Sequence, residues 1–177
     1  MEDGRAEIHS EDPFATPSSA RSPARRFRGR LVAPVTVWTA GSGTDRTGLT
    51  VSSLLVAEGE PSLVLGLIND TTDLWERVME TRSFVVHVLE AGDRLIAERF
   101  AGLRPAPGGL FEGVETSASD YGPVLTSHLD RAYCSFAGES QEGFHRLVRG
   151  RIENVELGEA GSPLAHLRGR YRRLETD

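Results

Sequence analysis

From Leu31 onward the chain is a succession of short apolar runs, each closed by a turn signal, and this pattern limits the fold more than any other feature. Runs of this kind, rich in Val, Leu and Thr, suit strands, whereas an amphipathic helix needs a longer stretch with a 3.6-residue period. Leu31–Thr39 reads as a strand, with Pro34 at an edge or bulge position because proline cannot donate to a ladder. Gly41–Asp45 reads as a turn, and Gly48–Val56 and Ser62–Ile68 as two more strands. Phe84–Leu89 alternates, with Phe84, Val86 and Val88 on one face and Val85, His87 and Leu89 on the other. Arg131–Phe136 and His145–Leu157 add two strands, the second interrupted at Gly150, and Leu164–Leu174 supplies a closing one. Two helices intervene. Asp73 and Glu76 have the spacing of a capping box, and Leu74, Trp75, Val78 and Met79 then share one face. Asp93–Phe100 is the second helix, with Leu95, Ile96 and Phe100 facing inward. The Gly- and Pro-rich stretch 102–120 reads as a long surface loop. The sum is a mainly β chain, an antiparallel barrel closed or nearly closed, with a few flanking helices.

A length of 177 residues suits one domain. Residues 1–26 differ in composition: an acidic start, then Pro and Ser, then a basic stretch continuing through Arg25 and Arg26 to Arg28 and Arg30. Few large apolar residues occur there, so burial cannot offset ordering entropy, and a flexible tail is expected before a domain over 27–177. No apolar leader opens the sequence and no apolar run approaches the ~20 residues of a membrane span, so a cytoplasmic protein is expected. A net charge of −6 gives no expectation of a nucleic-acid partner.

All 20 basic residues are arginine. The lack of lysine removes Schiff-base chemistry and the P-loop lysine, so an anionic ligand must be held by Arg, backbone N–H groups or hydroxyls. Cys134, the single cysteine, excludes internal disulfides and multi-cysteine zinc sites, and its alternation with Ala132 and Phe136 marks a core position. The five histidines lack metal-ligand spacing, so no metal is expected. Neither a nucleophile elbow nor a dinucleotide-binding glycine fingerprint is present.

Gly48–Ser53 concentrates Thr50, Ser52 and Ser53 in an otherwise apolar segment, either as a solvated strand face or as partners for a phosphate or a polar ring edge. Asn69–Asp73 precedes the first helix, where free N–H groups attract anions; plain capping is the equal alternative, with Asp70 and Asp73 opposing an anion. His145, after Gly143-Phe144, stands at a strand start near a loop mouth. His87 reads as structural.

The order and spacing of GLTVSS (48–53), EPSLVLGLIN (60–69), SFVVHVL (83–89), AERFAG (97–102), YGPVL (121–125), AYCSF (132–136), GFH with RGRI (143–152) and SPLAHLRGRY (162–171) resemble the flavin reductase-like family. The resemblance runs from about Phe27 to Leu174 and implies the FMN-binding split barrel, an antiparallel barrel of Greek-key type. It implies that Gly48, Thr50, Ser52 and Ser53 contact the flavin, that Asn69 and Thr72 line the same pocket, and that Arg99 and Phe100 approach it. The family's Gly-Asp-His motif near the nicotinamide reads Gly143-Phe144-His145 here, which leaves His145 as the residue that positions the nicotinamide. The activity implied is hydride transfer from NAD(P)H to FMN or FAD, in a homodimer with flavin at the interface, with an oxygenase as a possible partner for the reduced product. Two alternatives keep the fold: a flavoprotein that holds FMN and takes electrons from another donor, and a non-enzymatic flavin-binding dimer.

Overall fold

A computed structural model describes residues 22–159 and 161–174. Residues 1–21 of the expected tail therefore lie outside the described residues. A short helix, α1 (Pro23–Arg28), runs across the expected tail boundary at 26/27; it is started by Ser22, whose side chain accepts from the Arg25 N–H, and by proline in the first turn. No residue of α1 is buried.

The strands are β1 (Ala33–Pro34), β2 (Thr36–Ala40), β3 (Thr47–Val51), β4 (Leu54–Ala57), β5 (Leu63–Ile68), β6 (Ser83–Val88), β7 (Thr116–Ser117), β8 (Val124–Leu125), β9 (Arg131–Glu142), β10 (His145–Glu156), β11 (Leu164–Leu167) and β12 (Arg170–Arg173). Two further helices are α2 (Asp73–Thr81) and α3 (Arg94–Phe100). Seven strands form one antiparallel sheet in the order β3-β2-β6-β9-β10-β5-β4. Its two edges, β3 and β4, are consecutive in the chain and joined by Ser52-Ser53 alone. The Leu67 N–H of β5 donates to the Ser53 carbonyl at 2.9 Å, so the sheet curls until its edges meet at that corner. The mainly β split barrel expected from the sequence is the fold.

Glycines let the curl tighten. On β5 and β10 a Cβ at Gly66 would stand 2.5 Å from the Trp38 ring, and one at Gly150 would stand 2.3 Å from Phe84. Around these rings Val51, Val64, Ile68, Leu74, Val78, Cys134 and Val148 form the barrel core. A second cluster, with Val35, Val37, Leu89, Ala97, Phe100, Phe111 and Leu125, seats α3 and the long loop on the outside of β2.

Five local expectations change. The run Gly48–Val56 is two strands, because the chain turns a corner at Ser52-Ser53 instead of passing straight through. The run Leu31–Thr39 divides at Val35 into β1 and β2, and the closing strand is the hairpin β11–β12. The N-cap of α2 is Thr72, whose Oγ1 accepts from the Trp75 N–H at 3.3 Å; Asp73 is already helical. Leu95 is 57% exposed, and Ala97 takes the inward position expected of it. On α3 the buried pair is thus Ala97 and Phe100, one turn apart. The interruption at Gly150 is present as a shift in the β9–β10 register. Among the described residues no helix is long and apolar enough to cross a membrane.

Candidate functional site

The β3–β4 corner is the centre of the candidate site, because strand register gathers separate pieces of sequence beside it. Ser53 faces Leu67 through the hydrogen bond already described, and Ile68 pairs with Arg146 of β10. The next residues outward on β5 and β10 are Asn69 and His145, so Ser52, Ser53, Asn69 and His145 share one rim. Ser52, Ser53 and His145 are half-buried, and Asn69 is exposed.

The hydroxyls divide into used and available. Thr50 Oγ1 donates to the Ala97 carbonyl at 2.7 Å, which ties β3 to α3. Thr72 Oγ1 donates to the Asn69 carbonyl at 2.8 Å while accepting from Trp75, so its side chain is fully engaged in starting α2. Asn69 Oδ1 accepts from the Thr71 N–H and hydroxyl, both at 3.1 Å, which leaves its amide NH2 turned outward. Ser53 Oγ accepts from Arg28 at 3.0 Å. Ser52 has no side-chain partner among the described residues.

Gly48, Arg99 and Phe100 lie together further along β3, away from the corner. Gly48 is buried where a Cβ would stand 2.7 Å from the Phe100 ring, and glycine is required by that close approach. Phe100 meets Phe111 edge-on, with centroids 5.2 Å apart. Arg99 donates to the Glu112 carbonyl and lines a cleft of about 380 Å³ between α3 and residues 113–115. A second cleft, of about 650 Å³, lies among the β2–β3 turn, α2 and residues 108–112. Neither cleft includes Ser52, Ser53, Asn69 or His145.

Two arginines join the rim that the sequence did not single out for it. Arg28 arrives from α1. Arg146 bonds Asp70 at 3.2 Å and Glu139 at 3.3 Å, and its guanidinium lies 5.7 Å from the Trp75 ring centre. The Asp70 carboxylate, which opposes an anion at the start of α2, is therefore paired. The signal available for Arg28 was its place in the basic stretch; nothing in the sequence marked Arg146.

The remaining titratable groups of interest are structural. His87 is fully buried; the Leu125 N–H donates to its Nε2 at 3.1 Å, so Nδ1 carries the proton and donates to the Val37 carbonyl at 3.1 Å. Burial pushes its pKa down to about 3. Burial likewise pushes the Cys134 thiol up to about 12, with the charge of Glu153 adding to the effect, so it is inert as a nucleophile.

Flavin fits the donor set at the rim: a guanidinium, two serine hydroxyls, an outward amide and an imidazole can serve a phosphate and the polar edge of a heteroaromatic ring. Exposed apolar side chains flank them, with Phe27 66%, Leu55 59% and Phe144 94% exposed.

The model of the family described as "Flavin reductase like domain" matches residues 28–175. The reductase component of 4-hydroxyphenylacetate 3-monooxygenase from Thermus thermophilus is 32% identical over 145 residues, covering 82% of this chain and 91% of its own. An NADH-dependent FMN reductase from Streptomyces nodosus subsp. asukaensis is 32% identical over 170 residues, covering 94% and 91%. Among solved structures, the NADH:FAD oxidoreductase of Streptomyces globisporus, in complex with NAD and FAD fragments, superposes with a TM-score of 0.78 at 26% identity, covering 87% of this chain and 92% of that one.

Proposed function

The chain belongs to the flavin reductase-like family, and on that premise we propose that it is an NAD(P)H-dependent flavin reductase whose site is the rim around the β3–β4 corner. The observation that carries this reading is the convergence of Ser52, Ser53, Asn69 and His145 from three strand ends, at the one place where the barrel edges meet. When bound, flavin supplies the hydride-accepting chemistry, which lies in the cofactor and not in any side chain. The protein's work is positioning. Ser52 and Ser53 hold the flavin's polar groups, and the Asn69 amide donates beside them. Gly48, Thr50, Arg99 and Phe100 support this through the β3–α3 contact, where Thr50 and Gly48 fix the strand against the helix. Thr72 contributes by fixing the β5–α2 junction.

His145 orients the nicotinamide of NAD(P)H. Its neighbour Phe144, almost wholly exposed at the hairpin tip, offers no carboxylate to the imidazole. No side chain needs to act as acid or base, since geometry alone controls hydride transfer between two bound rings. The open rim and its exposed flank, Phe27, Leu55 and Phe144, are supplied with a cover by a second copy of the chain, which makes the active species an isologous dimer. Relatives named as reductase components of monooxygenases support an oxygenase as the consumer of the reduced flavin.

Steady-state oxidation of NADH and NADPH, with and without added FMN or FAD, tests the assignment. Flavin-dependent oxidation of either nucleotide is expected. A flavin-bound protein that oxidises neither would favour an electron donor of another kind, and a protein that binds no flavin would end the reading.

A further inference from the structure

The cleft of about 650 Å³ between the β2–β3 turn, α2 and residues 108–112 shares no residue with the β3–β4 corner. Its volume suits one small organic molecule. Two of its walls rest on glycines. A Cβ at Gly41 would stand 2.9 Å from Arg77 Cγ and Cδ, so the Arg77 side chain lies against the end of β2. One at Gly108 would stand 2.7 Å from Glu112 Cγ, so Glu112 folds back over the loop. Arg46 is already engaged: it donates to Thr116 Oγ1 at 3.0 Å, and its guanidinium lies 4.6 Å from the Phe111 ring centre.

Two donors are left over. Thr47 lines the cleft and is only 7% exposed, yet its hydroxyl has no hydrogen-bond partner among the described residues. Arg77 gives Nη1 to Glu80 at 2.6 Å, but its Nε is buried without a partner. Buried polar groups without partners are rare, because each costs free energy that an acceptor brought by a ligand recovers. The side chain therefore gains by turning Nε towards an acceptor in the cleft. Around these buried donors stand the exposed carboxylates of Asp45, Asp73, Glu76 and Glu112. None of the four is in an ion pair among the described residues. Four carboxylates against the two guanidiniums of Arg46 and Arg77 leave the cleft negative. Among the described residues no acidic group is gathered closely enough to hold a metal ion, so the matching charge is an organic cation.

We propose that this cleft is a binding site for a basic amino acid, apart from the flavin site and independent of the flavin reading. The ligand's carboxylate accepts from the Thr47 hydroxyl and the Arg77 guanidinium, which supplies the missing partners. Its ammonium groups meet the carboxylates at the edge, among them Asp73 and Glu76 in the first turn of α2.

Calorimetric titration of the full-length protein with L-lysine tests the site, alongside cadaverine, which is lysine without the carboxylate, and norleucine, which lacks the side-chain ammonium. The parent should bind lysine, and cadaverine and norleucine about 10-fold or more weakly, since each loses one charge-assisted set of bonds. This comparison needs no variant. Thr47→Val should weaken lysine about fivefold and leave cadaverine within about twofold, because only lysine has an acceptor for the hydroxyl. Glu76→Gln should weaken lysine and leave norleucine within about twofold. Saturating FMN should leave lysine binding unchanged. A parent that does not bind lysine would overturn the proposal, as would cadaverine or norleucine binding as tightly as lysine. Equal losses for lysine and cadaverine in Thr47→Val would also overturn it, since the hydroxyl would then serve only the fold. Displacement of lysine by FMN would make the cleft part of the flavin site and equally defeat the assignment.

Discussion

Trp38 and Phe84 lie face to face inside the curled sheet, their ring centroids 4.7 Å apart and their planes within 6° of parallel. Gly66 and Gly150 leave the space these rings fill from the opposite strands. The pair therefore sets how tightly the sheet can curl, and through the curl where the β3–β4 corner meets β5.

Gly150→Ala should destabilise the fold by about 1–3 kcal/mol, the usual cost of forcing a methyl group into a packed core. The added carbon would meet Phe84 and the Cβ of Cys134, neither of which can swing aside. Urea unfolding of the variant and its parent measures this. Equal midpoints and slopes would show that the rings have slack.

Thr50 and Ser52 separate stability from binding. Thr50→Val removes the bond to the Ala97 carbonyl and should cost about 1–2 kcal/mol of stability, as a half-buried acceptor loses its donor. Ser52→Ala and Ser53→Ala should leave stability nearly unchanged and weaken flavin binding by about 1–3 kcal/mol. Thermal melts alongside flavin titrations distinguish the two classes. Normal flavin affinity in both serine variants would remove the corner from the site.

Acid should weaken the fold through His87. Its proton is bound in the unfolded chain below the ordinary value of 6.5, but in the fold only near 3. Burial is the main cause, opposed by the Val37 carbonyl and aided by His128 and Arg131. Stability from the neutral ring is therefore complete above pH 6.5 and lost progressively as pH falls towards 3. Between pH 7 and pH 5 the loss is about 2 kcal/mol. The His128–Asp93 pair, at 3.0 Å, adds a carboxylate held below its usual range, whose contribution fades further into acid. Denaturant unfolding at pH 7 and pH 5 checks this, with His87→Gln as control: the variant should start less stable and show a shallower loss.

The strand pattern was legible because burial on the two faces of each strand dictates residue type along it, and nearly every run became a strand at the expected place. Local competition decided the misreadings. Thr72 outranks Asp73 as the cap because its hydroxyl also bonds the Asn69 carbonyl, a choice that spacing does not reveal. Ser52-Ser53 stood out as a hydroxyl cluster, but its role as the barrel's corner depends on pairing with Leu67, well along the chain. Asn69 and His145 were each visible alone; only the β5–β10 register makes them neighbours. Arg28 reaches Ser53 across 25 residues of sequence, and no periodicity encodes such a contact.

Rapid mixing of the flavin-loaded protein with NADH or NADPH, under anaerobic conditions, tests the central claim most directly. The parent should bleach the flavin absorbance with at least one of the two nucleotides. His145→Ala should bleach it up to ~100-fold more slowly at unchanged flavin affinity, because a misplaced nicotinamide loses rate through geometry alone. An unchanged rate in the variant would return His145 to a packing role. A parent that holds flavin and is bleached by neither nucleotide would contradict the assignment of this protein as an NAD(P)H-dependent flavin reductase.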